Sequence, residues 1–365
     1  MTQTAPAAPA AIDPDRLGSL VEQAVGDFGA TLSAALVVVG DRLGLYRALA
    51  SLGSSTAREL AAATDTVERN VREWLCAQAA AGYVQYDGTA GADGVDRWSL
   101  SPEQTEAFTN ELSPAFIVGG FQVVTAAAKA DERLTSAFRT GSGIGWHEHH
   151  HDLFQGTERF FRPGYQASLV EEWLPALDGV VDKLRAGGTV ADIGCGHGAS
   201  TILMARAFGA SRFKGSDYHE ASIESARRAA AAEGVDNTVF ETAPADGFSG
   251  TGFDLICFFD CLHDMGDPVG ALVHAAAALG EDGTVMLVEP NAGDTVAENL
   301  NPVGRVFYSA SSLVCTPASQ SQDVGLALGA QAGEARLAEV ARQAGFTRIR
   351  RATETPFNIV LELKR

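Results

Sequence analysis

Apolar positions along the chain change period once, and that change divides it. From Asp15 to about Leu52 the spacing is helical, and over residues 28–38 apolar side chains ring the helix almost completely, as in a buried or dimer-forming helix. Thr56 with Glu59 three residues on has the spacing of a capping box and starts a new helix. Another is predicted from about Val67 to Ala81, with Gly82 closing it. Tyr83–Tyr86 and Arg97–Leu100 flank a Gly/Asp-rich turn and read as a hairpin. Helix, helix, hairpin is a winged-helix pattern. Residues 111–180 are helical again, broken by the loop G-S-G-I-G-W-H-E-H-H-H-D.

After Gly187-Gly188 short β-branched runs alternate with Ala-rich helices, from T-V-A-D-I through R-F-K-G-S-D, T-V-F-E-T and F-D-L-I-C-F-F to T-V-M-L-V-E. Such alternation predicts a parallel sheet covered on both faces. A helix at 333–344 and two late strands suit an antiparallel edge. The fold class is therefore α/β: a doubly wound Rossmann-like domain over 181–365, preceded by a mainly helical winged-helix domain over 15–110. Residues 111–180 form a helical linker and substrate lid, and the Ala/Pro-rich tail at 1–14 is expected to be disordered.

Composition narrows the class. A hydrophobic fraction of 46% and a charged fraction of 20% over 365 residues describe an ordinary globular chain. The net charge of -19 argues against a nucleic-acid partner, which needs a positive surface. Residues 1–110 carry seven Arg and no Lys against fourteen Asp and Glu, so the winged helix shares that bias. No run approaches the roughly 18 consecutive apolar residues of a membrane helix, and no secretory signal is expected. Five scattered cysteines read as reduced residues of a cytoplasmic protein.

The strongest chemical signal is V-A-D-I-G-C-G-H-G at a strand-to-helix turn. Gly194, Gly196 and Gly198 at every second position allow a sharp turn and a ligand close to the main chain. A dinucleotide loop spaces its third glycine one residue later. Asp192 before the loop suits a cationic head over a diphosphate. Asp217 ends the next strand, placed for a ribose diol, and Tyr218 beside it is placed to border an adenine. Ribose, adenine and an ammonium-bearing chain without phosphates add up to S-adenosylmethionine, with S-adenosylhomocysteine as product.

On these residues the chain from about 180 onward resembles class I S-adenosylmethionine-dependent methyltransferases. The whole chain is similar to an actinobacterial group that includes a mycobacterial member, with a layout like plant-type O-methyltransferases. The resemblance implies that the three glycines line the methionine end, Asp217 holds the ribose and the Phe259 carbonyl meets the ammonium group. The family places an acidic residue near the adenine amino group where this chain has Ala243-Pro244, and Asp246 stands two residues on as its substitute. L-H-D-x-x-D resembles the motif in which His263 is the general base, oriented by Glu289 of V-E-P, with Asp264 and Asp267 capping the next helix. A packing histidine and a metal ligand stay open as alternatives. The resemblance also implies a homodimer built through the N-terminal domain.

A small-molecule substrate is expected, with O-methylation as the reaction. The alternatives are N- or C-methylation by positioning alone, and a winged-helix regulator that senses the cofactor. Candidate substrate contacts are Arg162 and Tyr165 in R-F-F-R-P-G-Y, and Asn301, Arg305, Tyr308 and Gln320 after the fifth strand of the sheet. His147, His149, His150 and His151 are nearly contiguous and cannot all face one ion from a regular element. A metal site, a lid and a solvated loop remain open for them, and no metal is assigned. Glu171-Glu172 reads as a solvated helix face.

Overall fold

The computed structural model describes residues 12–90 and 94–365 and divides at Thr109 into two compact units. The turn of the predicted hairpin, 91–93, and most of the predicted tail, 1–11, lie outside the described residues.

The first unit contains α1 (Pro14–Arg42), α2 (Leu45–Leu52), α3 (Ala57–Ala63), α4 (Glu68–Ala80), the antiparallel strands β1 (Gln85–Ala90) and β2 (Val95–Ser99), and α5 (Pro102–Thr109). The expected single helix to Leu52 is broken after Arg42, where Gly44 takes φ +70°, a left-handed turn that glycine adopts without steric cost. Thr56 caps α3 as its spacing predicts: its hydroxyl accepts from the Glu59 N–H, and the Glu59 carboxylate accepts from the Thr56 N–H at 2.7 Å. The core of this unit is aromatic, with Tyr46 stacked on Phe108 at 4.6 Å and meeting Trp74 edge-on at 4.9 Å.

Most of α1 is exposed, including Leu17, Leu20, Val21, Val25, Phe28 and Leu32. By length and composition alone it could cross a membrane. The count of consecutive apolar residues passed over it because Glu22 and Asp27 interrupt the run.

The second unit begins with α6 (Val118–Ala127), α7 (Asp131–Thr140) and α8 (His151–Ser168). Glycines bring α6 and α8 into contact, since a Cβ on Gly119 would lie 2.5 Å from the Phe160 nitrogen. Then come α9 (Val180–Ala186), β3 (Thr189–Ile193), α10 (Ala199–Ala207), β4 (Arg212–Asp217), α11 (Glu220–Ala232), β5 (Thr238–Thr242), β6 (Phe253–Phe259) and α12 (Pro268–Ala278). The chain ends with β7 (Leu279–Pro290), α13 (Pro302–Ala310), α14 (Thr316–Gln320), α15 (Gly333–Gln343), β8 (Arg348–Glu354) and β9 (Asn358–Lys364).

Seven strands form one sheet in the order β5-β4-β3-β6-β7-β9-β8. β3 to β7 run parallel, and β9 enters antiparallel between β7 and the edge strand β8. Buried side chains cover both faces, with Phe258, Leu287 and Leu361 in one cluster and Leu255, Met286 and Val360 in the other. This explains why the central strands read as continuous apolar runs. The strand order reverses between β3 and β6, and the crevice beyond their carboxyl ends is where such sheets bind ligands.

Candidate functional site

The turn after β3 is shaped by its three glycines. Gly194, Gly196 and Gly198 have φ of +71°, +52° and +79°, all left-handed. A Cβ on Gly194 would lie 2.8 Å from Cys261 Sγ, and one on Gly198 would lie 2.9 Å from the Phe240 ring. A Cβ on Gly196 would meet nothing within 4 Å, so this glycine keeps an open approach and the other two keep tight packing. Gly198→Ala should lose about 2–4 kcal/mol of stability in urea unfolding, from left-handed strain plus overpacking. Gly196→Ala should lose only about 1 kcal/mol yet bind S-adenosylhomocysteine much more weakly. Equal stability losses in the two variants would contradict this division.

Asp217 braces the loop. Its Oδ2 accepts from the Gly196 N–H at 3.0 Å and its Oδ1 from the His219 N–H at 2.8 Å. Asp192 lies beneath, with Oδ2 accepting from Ser200 Oγ and Thr201 Oγ1, each at 2.6 Å. Its Oδ1 is buried without a partner, and burial raises this carboxyl to about 6.

A cavity of about 470 Å³ opens over the loop. Gly194, Gly196, Asp217, Tyr218, Ala243, Asp246, Phe259 and Tyr165 line it, whereas Asp192 and Gly198 sit behind the lining. Seven carboxylates line it and neither Lys nor Arg does. The open Gly196, the unpartnered Asp192 oxygen and this acidic lining fit a ligand that carries ammonium and sulfonium charges, as S-adenosylmethionine does.

Five of the seven lining carboxylates were not expected at the site: Glu158, Asp260, Asp264, Asp267 and Asp323. Asp260, directly after β6, has a left-handed φ of +50°. Tyr165 Oη donates to it at 3.3 Å and Asn358 Nδ2 at 2.7 Å. Burial, reinforced by Glu289, raises its carboxyl to about 8. The signal for it was an acid ending the strand at the switch point. Asp264 also lines the cavity, with burial raising it to about 7. It is not the expected helix cap: Asp267 alone caps α12, accepting from the Gly270 N–H at 2.8 Å.

These raised carboxyls have a consequence for stability. A folded value above the unfolded one, about 4, means that the native state holds protons the unfolded chain has released. The contribution is complete below that unfolded value and is lost as pH rises through 6 to 8. The ligand-free protein should therefore melt at falling temperature from about pH 5 to about pH 9, and Asp260→Asn should flatten the upper part of the decline. A melting temperature that climbs over this interval would refute the assignment.

His263 and Glu289 are brought together from the ends of neighbouring strands. His263 Nδ1 and Glu289 Oε2 are 2.5 Å apart, and Glu289 Oε1 accepts from the Leu262 N–H at 2.9 Å. Both side chains are buried, and the imidazole stands behind the cavity lining with Cys315 beside it. Burial alone would depress its pKa, but the Glu289 carboxylate and Cys315 outweigh that and hold it well above the usual value.

The remaining candidates lie elsewhere. Arg162 pairs with Glu111 at 3.0 Å and Glu158 at 3.2 Å, outside this cavity. Asn301, Arg305 and Tyr308 do not line it either. Asn301 instead caps α13, accepting from the Gly304 N–H at 2.8 Å. Gln320 is exposed, and the next residues of that segment, Gln322, Asp323 and Val324, reach the cavity in its place. Their access comes from a strap over the His263 loop, in which Gln322 Oε1 accepts from the Gly266 N–H and the Gly329 N–H donates to the His263 carbonyl. Glu171 and Glu172 are exposed.

His150, His151 and Asp152 bring ligand atoms within 4.8 Å of one another. The Lys129 ammonium already lies 2.8 Å from Asp152 Oδ2 and 3.3 Å from the His150 ring. A lysine therefore stands where a cation would.

Residues 184–333 match the family described as methyltransferase domain. The chain carries a methyltransferase domain. Residues 30–110 match the Rv2258c-like winged HTH domain, so the first unit precedes the methyltransferase domain as a winged helix. No curated protein matches the chain. Among solved structures, the mitomycin 7-O-methyltransferase MmcR is 22% identical with a TM-score of 0.67, the match covering 96% of this chain and 100% of that one. Human N-acetylserotonin methyltransferase in complex with SAM is 16% identical with a TM-score of 0.70, covering 98% and 99%. PigF with SAH is 16% identical with a TM-score of 0.72, covering 94% and 99%. These are likenesses of fold, and they extend over both units.

Proposed function

We propose that the chain is an S-adenosylmethionine-dependent methyltransferase acting on a hydroxyl group of a small molecule. The observation that carries this reading is the glycine loop braced by Asp217 at the floor of an acidic cavity that has no lining Lys or Arg. When bound, S-adenosylmethionine supplies an electrophilic methyl group on a sulfonium.

The chain's own residues would bind and orient the reactants. Asp217 keeps lone pairs for the ribose hydroxyls beyond the two amides it holds. Gly196 leaves the main chain open to the ligand, and Asp192 and Asp260 are buried carboxyls whose ionised form a cationic ligand would favour. Alignment of this kind lowers a transfer barrier without covalent participation of the protein. His263 takes the proton of the acceptor hydroxyl, and Glu289 holds the ring and favours the imidazolium that results. Oxygen as the acceptor is supported further by the fold likeness to a 7-O-methyltransferase.

The winged helix favours a second reading, a cofactor-sensing regulator. Arg58, Arg69 and Arg72 on and beside α4 pair with Glu68, Glu73 and Asp96, so these cations are already committed to carboxylates. For the first unit we favour dimerisation with a second copy through the exposed apolar residues of α1. The five free cysteines suit a cytoplasmic location.

The test is transfer of labelled methyl from S-adenosylmethionine into a small-molecule extract of the host. Label in a low-mass product supports the enzyme. Absence of transfer together with salt-sensitive retention on DNA would replace it with the regulator.

A further inference from the structure

The segment Gly141–His147 lies outside the part of the chain that matches the methyltransferase domain, yet it delivers one residue to the cavity. Trp146 lines the same space as Tyr218 and the glycine loop. Its position is held from three sides. The Tyr218 hydroxyl lies against the backbone of His147 and Trp146. The Ile144 N–H donates to the Pro317 carbonyl at 2.9 Å, and a Cβ on Gly143, at φ +70°, would collide with that same carbonyl. The Trp146 ring rests 5.3 Å from Phe154, another lining residue, whose ring in turn lies 4.8 Å from His219.

Three segments distant in sequence therefore meet at one wall: 141–147, the turn after β4 and the strap at α14. The wall is aromatic and follows directly on Asp217, the residue placed for the ribose. A flat indole half-exposed beside a ribose site has the chemistry of a base-stacking surface, because every purine offers a π-face to it.

We propose that Trp146 is a cofactor-binding residue that packs against the adenine, and that the Tyr218 hydroxyl latches its segment in place. This rests on the reading of the cavity as an S-adenosylmethionine site. The glycine loop holds the ligand from below, and a residue from the linker before the domain covers it from the other side. Retention of the cofactor then depends on Trp146 and on the Tyr218 hydroxyl.

The experiment uses the full-length protein, S-adenosylhomocysteine as the probe, and intrinsic tryptophan fluorescence beside calorimetry. Of the four tryptophans, Trp74, Trp98 and Trp173 are only 4%, 2% and 1% exposed and do not line the cavity, so a ligand-dependent signal belongs to Trp146. The wild-type emission is expected to change on titration. Trp146→Phe should lose that change while still binding, and Trp146→Ala should bind about ten- to a hundredfold more weakly, the range of base–aromatic stacking. Tyr218→Phe keeps the ring and removes the hydroxyl that lies against the segment, so release measured by stopped flow should accelerate. Far-UV circular dichroism of each variant separates loss of binding from loss of fold. Calorimetric binding with no change in wild-type emission, or wild-type affinity in Trp146→Ala, overturns the assignment and leaves the cofactor reading standing. No binding heat from the wild type overturns both.

Discussion

Asp217→Ala is expected to weaken S-adenosylhomocysteine binding about 100-fold or more, a loss of about 3 kcal/mol. Two effects combine. The ligand loses the carboxylate placed for its ribose hydroxyls, and hydrogen bonds to a charged group are each worth about 1.5–3 kcal/mol. The loop also loses its brace, because the Gly196 and His219 amides both donate to this one side chain. Asp217→Asn retains one acceptor oxygen and should fall between the variant and the wild type. Isothermal calorimetry reads the difference directly. Affinity within threefold of wild type in the alanine variant would remove Asp217 from the site. The two amides lose their acceptor, so the melting temperature of the variant must be followed in parallel.

Glu289→Gln is expected to lower turnover about 100-fold or more, the usual range for disabling a positioned proton acceptor. The substitution preserves volume and removes the charge that holds His263 in its raised state. The sign can be worked out. A base must be neutral to accept a proton, so with His263 held well above its usual value the wild-type rate should rise with pH on an alkaline limb. Without the Glu289 charge, burial dominates and depresses the imidazole, so the limb moves to lower pH while the plateau drops. His263→Ala should lose the limb altogether. Breaking a buried ion pair costs about 3–5 kcal/mol, so the melting temperature of Glu289→Gln must be followed in parallel. A pH profile unchanged in both variants, with wild-type turnover, would dismiss the base and leave methylation by positioning alone.

The parts of the fold legible in the sequence are those governed by local pattern. The parallel strands are buried on both faces, so β3, β6 and the second half of β7 appear as mainly apolar runs, and the glycine loop follows β3 without an intervening residue. The capping box at Thr56 is likewise contained in four residues. The proximity of His263 and Glu289 was also accessible, because one lies in the turn after β6, the other lies at the end of β7, and those strands are adjacent.

What stayed hidden depends on distant partners. Asp260 is held by Tyr165 and Asn358, about a hundred residues away on either side, and no local motif announces either bond. The strap that covers His263 was invisible for the same reason. Asn301, Arg305 and Tyr308 stand away from this cavity because the turn before α13 uses Asn301 as a cap, while the later part of the segment bends back to the cavity. The break at Gly44 escaped notice since a single glycine inside an apolar helical pattern does not by itself specify a left-handed turn. Trp146 reaches the cavity through a segment fastened to Pro317, a partner that no local pattern announces.

The central claim is that this cavity directs a methyl group from S-adenosylmethionine to oxygen on a small molecule. The most direct measurement is carbon NMR of the product formed from S-adenosylmethionine labelled with carbon-13 in its methyl group, because the chemical shift of the transferred carbon reports the atom it joins. The account predicts an oxygen-bound methyl signal in a low-mass product, strongly reduced with His263→Ala. A methyl signal on nitrogen or carbon, formed equally by the wild type and His263→Ala, would contradict it.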